Sequence, residues 1–247
     1  MLGTPCVLCR LMPLVHCPSL LIGLCGPIYT VRLDCQVQIG KHSVVVNAHA
    51  PATAKGRATR ERILQAAAEL IAAKGVAGMS LDDVRARTGA SRSQLYHYFE
   101  DRNDLVHAVI DATTEAVLGR QDELLNHLDS WAGIDRWFDF MVQHQIAEQA
   151  RGGCPIGSLA GQLAESDPEA RAAIAAGFDR WEAHVREGLT RMKAHGKLRK
   201  DTDPAALATA TMASIQGGLL LTQVRRDPNQ LRIALNAARG NLRSAAG

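Results

Sequence analysis

The sequence predicts an all-α fold from residue 51 to the C-terminus. Apolar residues recur there every three to four positions in successive segments, which is the spacing of one face of an α-helix. Ser, Thr or Asp precedes several of these segments and glycine follows them, as is typical of helix starts and stops. Two long segments also begin with Asp-Pro, at residues 167–168 and 203–204. We expect a small helical head with a helix-turn-helix, followed by a larger helical body.

The first fifty residues differ in composition from the rest. They hold five of the six cysteines and four of the nine prolines, and they show no sustained helical or strand period. A zinc site that starts at Cys6 and Cys9 would need a second close pair of ligands. A secretory signal around SLLIGLCG would need an apolar run without the prolines that interrupt this region. We interpret residues 1–54 as a disordered or mis-called N-terminal extension, and we expect no metal and no cofactor.

Two helices are predicted next. The segment TRERILQAAAELIAAKG begins at Thr59, a suitable N-cap, and ends at Gly75, where a left-handed residue is expected. Its apolar residues stand at i, i+4, i+7 and i+8, so one face is apolar. The shorter segment SLDDVRARTG starts at Ser80 as N-cap and stops at Gly89.

A third helix is predicted in SRSQLYHYF, residues 91–99. Ser91 is an N-cap, and Gln94 three residues later completes the capping-box pattern. This start lies two residues after Gly89, and two short helices joined by a tight turn with glycine form a helix-turn-helix. Leu95 and Phe99 are four positions apart and should both pack into the head. The polar and aromatic residues between them are then left exposed.

The exposed residues of the third helix have the chemistry of a DNA-reading surface. Arg, Gln and Ser side chains can reach base edges in a major groove, and Tyr hydroxyls can bond phosphates. Residues 55–102 hold nine Lys/Arg against six Asp/Glu, whereas residues 103–247 hold sixteen against eighteen. We predict that this helix reads double-stranded DNA. The alternative is that Tyr96 and Tyr98 only seal a three-helix core.

The run GMSLDDVRARTGASRSQLYHYFEDRNDLVHAVI, preceded by TRERILQAAAELIAAKG, resembles the DNA-binding domain of the TetR family of one-component transcriptional regulators. The likeness centres on LYHYF followed by DRNDL. It implies a DNA-binding head at residues 55–102 and a homodimer on a palindromic operator. Ser93 and Gln94 depart from the Gly and Thr that are common in the family, so the operator sequence cannot be transferred. The residues predicted to contact DNA are Thr59, Arg60, Ser80, Ser91, Arg92, Ser93, Gln94, Tyr96, His97, Tyr98 and Arg102.

The resemblance implies that residues 103–247 form a helical effector-binding and dimerisation domain. DRNDLVHAVIDATTEAV should connect the head to this body. DPAALATATMASIQGGLLLTQVRRDP is nearly free of charge from residue 205 to 224, and a helix that is apolar on most sides must be covered on most sides. It fits a dimer interface built from the two long helices, and the alternative is a helix buried within one monomer. We expect a cytoplasmic protein without a membrane segment.

A small-molecule site is predicted in the body. The element GCPIGSLA resembles a subgroup of multidrug- and flavonoid-responsive repressors, and less closely a subgroup whose cysteine senses electrophiles. We predict a repressor that a small apolar or aromatic ligand releases from DNA. The alternative is a thiol sensor through Cys154, since a helix N-terminus can lower a thiol pKa. The residues predicted to bind the ligand are Trp137, Phe140, Met141, Cys154, Phe178, Trp181, Met212 and Gln216.

Catalysis is not expected. His144 and Glu148 stand one helical turn apart, but no third metal ligand with suitable spacing follows. The sequence also has no phosphate-binding glycine-rich loop and no nucleophile elbow. We predict a non-enzymatic protein, and a helical enzyme without DNA binding is the remaining alternative.

Overall fold

A computed structural model of the protein describes residues 53–247, and it confirms the all-α prediction for this range. The predicted extension lies outside the described residues, apart from its last two positions, and so do Cys6 and Cys9. The only β-type pairing in the described range is an isolated antiparallel bridge between Leu198 and Ala246. The helices are α1 (Ala54–Gly78), α2 (Leu81–Thr88), α3 (Arg92–Tyr98), α4 (Arg102–Gly119), α5 (Asp122–Leu125), α6 (Trp131–Ala147), α7 (Pro155–Leu163), α8 (Pro168–Ala194), α9 (Pro204–Arg225) and α10 (Asn229–Ser244).

The first helix starts earlier than predicted. The Thr53 side chain accepts a hydrogen bond of 3.1 Å from the Gly56 backbone N–H, so Thr53 is the N-cap. The predicted start at Thr59 is wrong because the residues before it already have a capping threonine and no proline to stop the helix. Gly75 has φ 77° and interrupts the helix where an end was predicted.

The other two helices of the head, which we define as α1–α3, follow the prediction. The Ser80 side chain caps α2 by accepting from the Asp83 N–H, and Gly89 ends α2 with φ 68°. Ser91 and Gln94 form a complete capping box at the start of α3. The helix-turn-helix predicted from the N-cap and glycine signals is therefore present.

Helix α4 connects the head to the body, which we define as α5–α10. Its N-cap is Asp101, and the helix packs against α1, α7 and α8. At its crossing with α8, a Cβ added to Gly177 would meet the Thr114 Oγ1 at 2.8 Å. A residue larger than glycine would therefore push α4 and α8 apart.

The sequence analysis missed two helices of the body. The single turn α5 has no side-chain cap. Helix α10 also begins without a side-chain cap, at Pro228. It nevertheless buries Leu231, Leu235 and Leu242 and packs mainly against α9, with further contacts to α6. Its apolar face is therefore one wall of the body core.

Helix α9 is only partly covered within one chain. Leu220, Leu221 and Val224 are exposed large hydrophobic residues on this helix. Among the described residues, α9 is the one helix that is long and apolar enough to cross a membrane. Core helices of soluble proteins can have the same length and composition. The alternative of a helix buried within one monomer is wrong, because α8 and α10 leave one of its faces bare.

Candidate DNA interface and effector cavity

Helix α3 is anchored by one face and presents the other to solvent. Leu95 and the adjoining Phe99 are fully buried in the core. The predicted DNA-contact residues of the helix are on its open side: Ser91, Arg92, Ser93, Gln94, Tyr96 and His97 are exposed. A two-turn helix fixed in this way can enter a major groove with its polar side chains leading.

Hydrogen bonds at the start of α3 occupy part of the polar surface of this helix. The Gln94 Oε1 accepts a hydrogen bond of 2.9 Å from the Ser91 N–H, and the Ser91 Oγ accepts one of 3.2 Å from the Gln94 N–H. The Ser91 and Ser93 hydroxyls are also within 3.0 Å of each other. The Gln94 amide N–H₂ group is therefore the part of this side chain that is left to contact a base.

The aromatic residues of α3 contact their neighbours. The Arg92 guanidinium lies over the Tyr96 ring, 5.6 Å from its centroid. The His97 and Tyr98 rings are edge to face, with centroids 4.9 Å apart. Tyr98 is half-buried and lines a cleft between the head and the body, while Tyr96 stays exposed. The two tyrosines thus have different surroundings, and only Tyr96 projects from the open face.

The predicted DNA-contact residues of α1 and of the α2 N-cap have intramolecular partners. The Thr59 Oγ1 donates to the Lys55 carbonyl at 3.0 Å, within α1. The Arg60 guanidinium lies 5.3 Å from the centre of the Phe99 ring. A hydrogen bond from Ser80 and the neighbouring Lys74 ammonium hold the pKa of Asp83 below its usual range. These contacts orient the N-terminal parts of both helices in the absence of DNA.

Arg102 has a structural role that the sequence did not reveal. Its Nε donates to the Met79 carbonyl at 3.0 Å, and its Nη2 donates to the Val76 carbonyl. The Val76 carbonyl lies in the last turn of α1, and the Met79 carbonyl directly follows that helix. The guanidinium therefore fastens the first turn of α4 to the head and keeps its remaining donors for other partners.

A polar cleft of about 1150 Å³ separates the head from the body. Two side-chain contacts cross it. The Gln162 Oε1 of α7 accepts a hydrogen bond of 2.6 Å from the Val76 N–H. The His107 Nε2 of α4 lies 3.0 Å from the Asp167 Oδ2 at the start of α8. The head is thus joined to the body through α4, which His107 ties to the start of α8, and directly through the contact between Gln162 and Val76.

A second, smaller cavity of about 60 Å³ lies between the body and the C-terminal end of α4. Four of the predicted ligand-binding residues line it: Phe140, Met141, Cys154 and Trp181. The sequence analysis missed the contribution of α4 and the ends of α6 and α9. The wall residues that were not predicted are Val117, Arg120, Gln121, His144, Gln145, Gly153, Pro155 and Leu219.

The other four predicted ligand-binding residues lie behind or beside the wall. The Trp137 Nε1 donates to the Gln121 Oε1 at 2.8 Å, so this indole supports a wall residue. Gln216 hydrogen-bonds with the Cys154 thiol. Phe178 is half-buried and Met212 is buried, and neither is among the residues that line the cavity. Helical spacing alone could not separate wall residues from the core behind them.

Cys154 occupies the N-cap of α7 and its thiol faces a buried environment. The Sγ accepts a hydrogen bond of 3.3 Å from the Gly157 N–H. Burial raises the pKa of the Cys154 thiol, although hydrogen bonds from Gly157, Gln216 and Ile156 act in the opposite direction. Desolvation therefore outweighs the helix N-terminus, and the thiol keeps its proton at neutral pH.

Two polar atoms in the cavity wall have no hydrogen-bond partner. They are the Oε1 of Gln145 and the Nε1 of Trp181, and both residues are 2% exposed. Buried polar groups are normally paired, since an unpaired one costs about 1–3 kcal/mol. The wall therefore combines apolar surface with unused hydrogen-bonding capacity.

Comparisons with known proteins agree with this architecture. Residues 63–109 match the model of bacterial regulatory proteins of the tetR family, and residues 130–238 match the tetracyclin repressor-like C-terminal domain. An uncharacterized HTH-type transcriptional regulator in the lacX 3' region of Lactococcus lactis subsp. lactis is 32% identical over 180 residues, which are 71% of this chain and 88% of that protein. The HTH-type transcriptional repressor DhaR of Mycobacterium sp. (strain GP1) is 22% identical, over 70% of this chain and 86% of that protein.

A solved structure has the same fold. A TetR transcriptional regulator from Chloroflexus aurantiacus J-10-FL superposes with a TM-score of 0.68 at 25% identity, and the match covers 78% of this chain and 98% of that one. The two family models together span both the head and most of the body. The chain belongs to the TetR family of transcriptional regulators.

Proposed function

We propose that the protein is a homodimeric repressor that binds a palindromic operator through α3 and leaves it when a small molecule fills the body cavity. The observation that carries this proposal is the open face of α3, where polar side chains project while Leu95 and Phe99 hold the helix in the core. That arrangement suits base reading in a major groove. The role in repression also follows the general behaviour of the family.

The bare face of α9 supports the homodimer. Six of its exposed residues recur at three- and four-residue intervals, so these six form a single stripe along the helix. The residues of this α9 stripe are Ala206, Ala210, Ala213, Gly217, Leu220 and Val224. Small residues over most of its length let another helix approach closely, and a second copy of α9 provides the matching surface. We propose that the two recognition helices are then held roughly 34–36 Å apart, one turn of DNA.

Helix α7 is the proposed link between ligand and DNA. Cys154 at its N-cap lines the cavity, and Gln162 near its other end holds the Val76 N–H of the head. A helix of nine residues is about 13 Å long and moves as a rigid body. A ligand that displaces the N-terminus of α7 therefore also displaces its contact with the head. The ligand changes DNA affinity only by its preference for the displaced state.

Reversible ligand binding is better supported than thiol sensing. Cys154 is buried and burial raises the pKa of its thiol, whereas a reactive thiol needs access and a lowered pKa. Trp181, by contrast, offers an unpartnered donor in the same wall. An apolar cavity of about 150 Å³ holds benzene, so the present 60 Å³ suits a molecule smaller than the predicted aromatic ligands.

We propose no catalytic role and a cytoplasmic location, as expected of a regulator that must reach DNA. Within residues 53–247, no group of three or more His, Cys, Asp or Glu side chains is placed to hold a metal ion. His144, which the sequence pairs with Glu148, instead stacks on the Phe140 ring with centroids 6.2 Å apart.

The test is a salt titration of DNA binding by the full chain. Fluorescence anisotropy with a labelled fragment from upstream of its own gene should show affinity falling steeply as salt rises. Each neutralised phosphate adds roughly 0.9 to the negative slope of log K against log salt. Arg62 is an exposed arginine of α1 that we place against a phosphate, so Arg62→Ala should reduce that slope by about 0.9. Arg186→Ala, at an exposed arginine of α8, should leave the slope unchanged. Equal, salt-insensitive affinity for every fragment would contradict the proposal.

A further inference from the structure

We propose that the 60 Å³ cavity binds a small neutral molecule that carries a hydrogen-bond acceptor next to a donor, as a primary amide or a hydroxyl group does. The inference deepens the proposed function, because it gives the chemical class of the molecule that the cavity takes. It rests on two unpartnered polar atoms in the wall, on the size of the cavity and on the charge of its lining.

The two unpartnered atoms have opposite requirements. An indole Nε1–H is a donor only, so Trp181 needs an acceptor. The Gln145 Oε1 accepts only, so it needs a donor. Both side chains are 2% exposed and line the same cavity, and in so small a space one molecule can contact both residues. A hydroxyl or a primary amide satisfies both atoms with a single functional group.

Another polar residue of the wall, Gln121, has a partner at each end of its amide group. The Gln121 Oε1 accepts from Trp137, and its Nε2 donates to the Val117 carbonyl at 2.9 Å. Two buried tryptophans thus lie beside the same cavity, and only Trp181 has an unused N–H. The unused N–H is therefore particular to Trp181 and is not shared by the other indole beside this cavity.

The cavity volume limits the ligand to very few atoms. Since about 150 Å³ holds the six carbons of benzene, a cavity of about 60 Å³ holds three or four non-hydrogen atoms. Two water molecules, at about 30 Å³ each, would also fill it. The test below therefore has to separate a bound organic molecule from water alone.

The lining favours a neutral molecule over an ion. No acidic residue lines the cavity, so a cation would have no counter-charge there. Arg120 and His144 do line it, but Arg120 is exposed to solvent and its charge is already hydrated. A carboxylate has no donor and would place its negative oxygen against the Gln145 Oε1. A neutral amide or alcohol avoids both problems.

Acetamide, acetone and acetate test the inference, because they have the same number of non-hydrogen atoms and nearly the same shape. Only acetamide has both an acceptor and a donor, while acetone lacks the donor and acetate adds a charge. The full chain is labelled with ¹⁵N at its three indole nitrogens, and Trp181→Phe assigns the Trp181 signal. We expect acetamide to shift that signal saturably. It should bind about three- to tenfold more tightly than acetone, because it makes one more hydrogen bond. Acetate should bind more weakly than either.

A pair of variants isolates the donor contact. Gln145→Met keeps the side-chain length but removes the Oε1, so it should weaken acetamide binding about three- to tenfold and leave acetone binding unchanged. Gln143→Met, at an exposed position of the same helix, should leave both unchanged. Equal affinity for acetone and acetamide in the wild type, or a Gln145→Met variant with undiminished acetamide binding, would overturn the inference. A Trp181 signal that no probe shifts would overturn it too and would assign the cavity to water.

DNA release is measured separately, so that the two proposals can fail independently. If acetamide shifts the Trp181 signal but leaves the protein on DNA, the ligand chemistry stands and the regulatory link through α7 fails. If larger aromatic compounds release the protein while all three probes leave Trp181 unmoved, the repressor function stands and the ligand chemistry proposed here fails.

Discussion

The Gln162 Oε1 and the Val76 N–H are joined by a hydrogen bond of 2.6 Å across the boundary between the body and the head. Eighty-six positions separate the two residues in the chain. The contact depends on Gly75, because a Cβ there would meet the Gln162 Oε1 at 3.0 Å. One α7 side chain thus holds the segment in which α1 ends.

We predict that Gln162→Met loosens this segment without unfolding the protein. Methionine keeps the length of the side chain but cannot replace the carbonyl acceptor, so the Val76 amide should exchange its hydrogen about three- to tenfold faster. Hydrogen exchange measured by NMR checks this. Gly161→Ala is the matched control on α7, since a Cβ there meets nothing within 4 Å. Unchanged Val76 exchange in Gln162→Met would refute the proposed contact.

Arg102→Ala should destabilise the head. It removes the donors that satisfy the Met79 and Val76 carbonyls, so we expect a loss of about 1–3 kcal/mol in the free energy of unfolding. Affinity for every DNA fragment should fall alike, because the whole head is less well held. Urea unfolding and anisotropy on two unrelated fragments measure the two effects. The control is Arg120→Ala, at an exposed arginine, which should change neither the stability nor the DNA affinity. Full stability in Arg102→Ala would show that the Met79 and Val76 carbonyls do not need Arg102.

Gln94 can be tested for base reading separately from its role in the capping box. Gln94→Glu keeps the acceptor that the Ser91 N–H uses but removes the amide donor. It should retain the stability of α3. The new negative charge should weaken binding to all DNA, and the preferred operator should lose roughly 1–3 kcal/mol more than random DNA. Gln94→Ala should lose both the cap and the preference. Competition binding with operator and random DNA gives the preference, and thermal unfolding gives the stability. Uniform loss on all DNA in Gln94→Glu would place the reading face elsewhere.

Cys154 should react slowly at neutral pH. Because burial raises the pKa of its thiol, the folded protein favours the protonated form. This contribution to stability is fully present below the thiol's ordinary pKa, near 9.0, and is lost as the pH rises through the higher pKa of the folded state. Iodoacetamide labelling at pH 7, followed on the Cys154 peptide by mass spectrometry, should be slower in the folded chain than in urea.

The variant Cys154→Ser tests whether the thiol is the sensor. It should still bind DNA and respond to a reversible ligand. Oxidants such as a quinone should release the wild type and this variant equally poorly. Release of the wild type alone by an oxidant would instead make Cys154 the sensor, through thiolate attack that a serine hydroxyl cannot replace at neutral pH.

The α9 stripe should be essential for dimer formation. Ala213→Arg places a long charged side chain in its middle, and pairing two copies would then bury two like charges, so the protein should sediment as a monomer. Ala132→Arg, at an exposed position on α6, is the control and should stay dimeric. Sedimentation velocity at micromolar concentration distinguishes the outcomes. A dimeric Ala213→Arg protein would move the interface to another face.

Helix caps explain why most of the fold could be predicted from the sequence. Ser80, Ser91 and Asp167 each accept a backbone N–H at the predicted start of a helix. Helix α10 was missed because its start has no side-chain cap. The Thr59 start was wrong because a second threonine six residues earlier provides the cap. The helices that could be predicted are therefore those whose first residues include a capping side chain.

The candidate site was harder to predict because it depends on how distant helices meet. Of the eight residues predicted to bind the ligand, four line the cavity and four do not; the four that line it are Phe140, Met141, Cys154 and Trp181. Gln145 was missed because an amide on a helix gives no local sign that its oxygen is unpartnered. The contacts of Arg102 with Met79 and Val76 were missed for the same reason, since they bring together positions more than twenty residues apart.

The shortness of α3 sets a limit on how much genomic information one subunit can read. Seven residues make a helix about 10 Å long, which matches about three base pairs at 3.4 Å each. Two subunits then specify about six base pairs. A sequence of that length recurs by chance about once in four thousand positions, and a genome offers millions of competing positions. Recognition of a single site on a chromosome therefore requires contacts beyond those of α3. The basic N-terminal part of α1 and the sequence-dependent shape of the intervening DNA are the sources that remain to supply it.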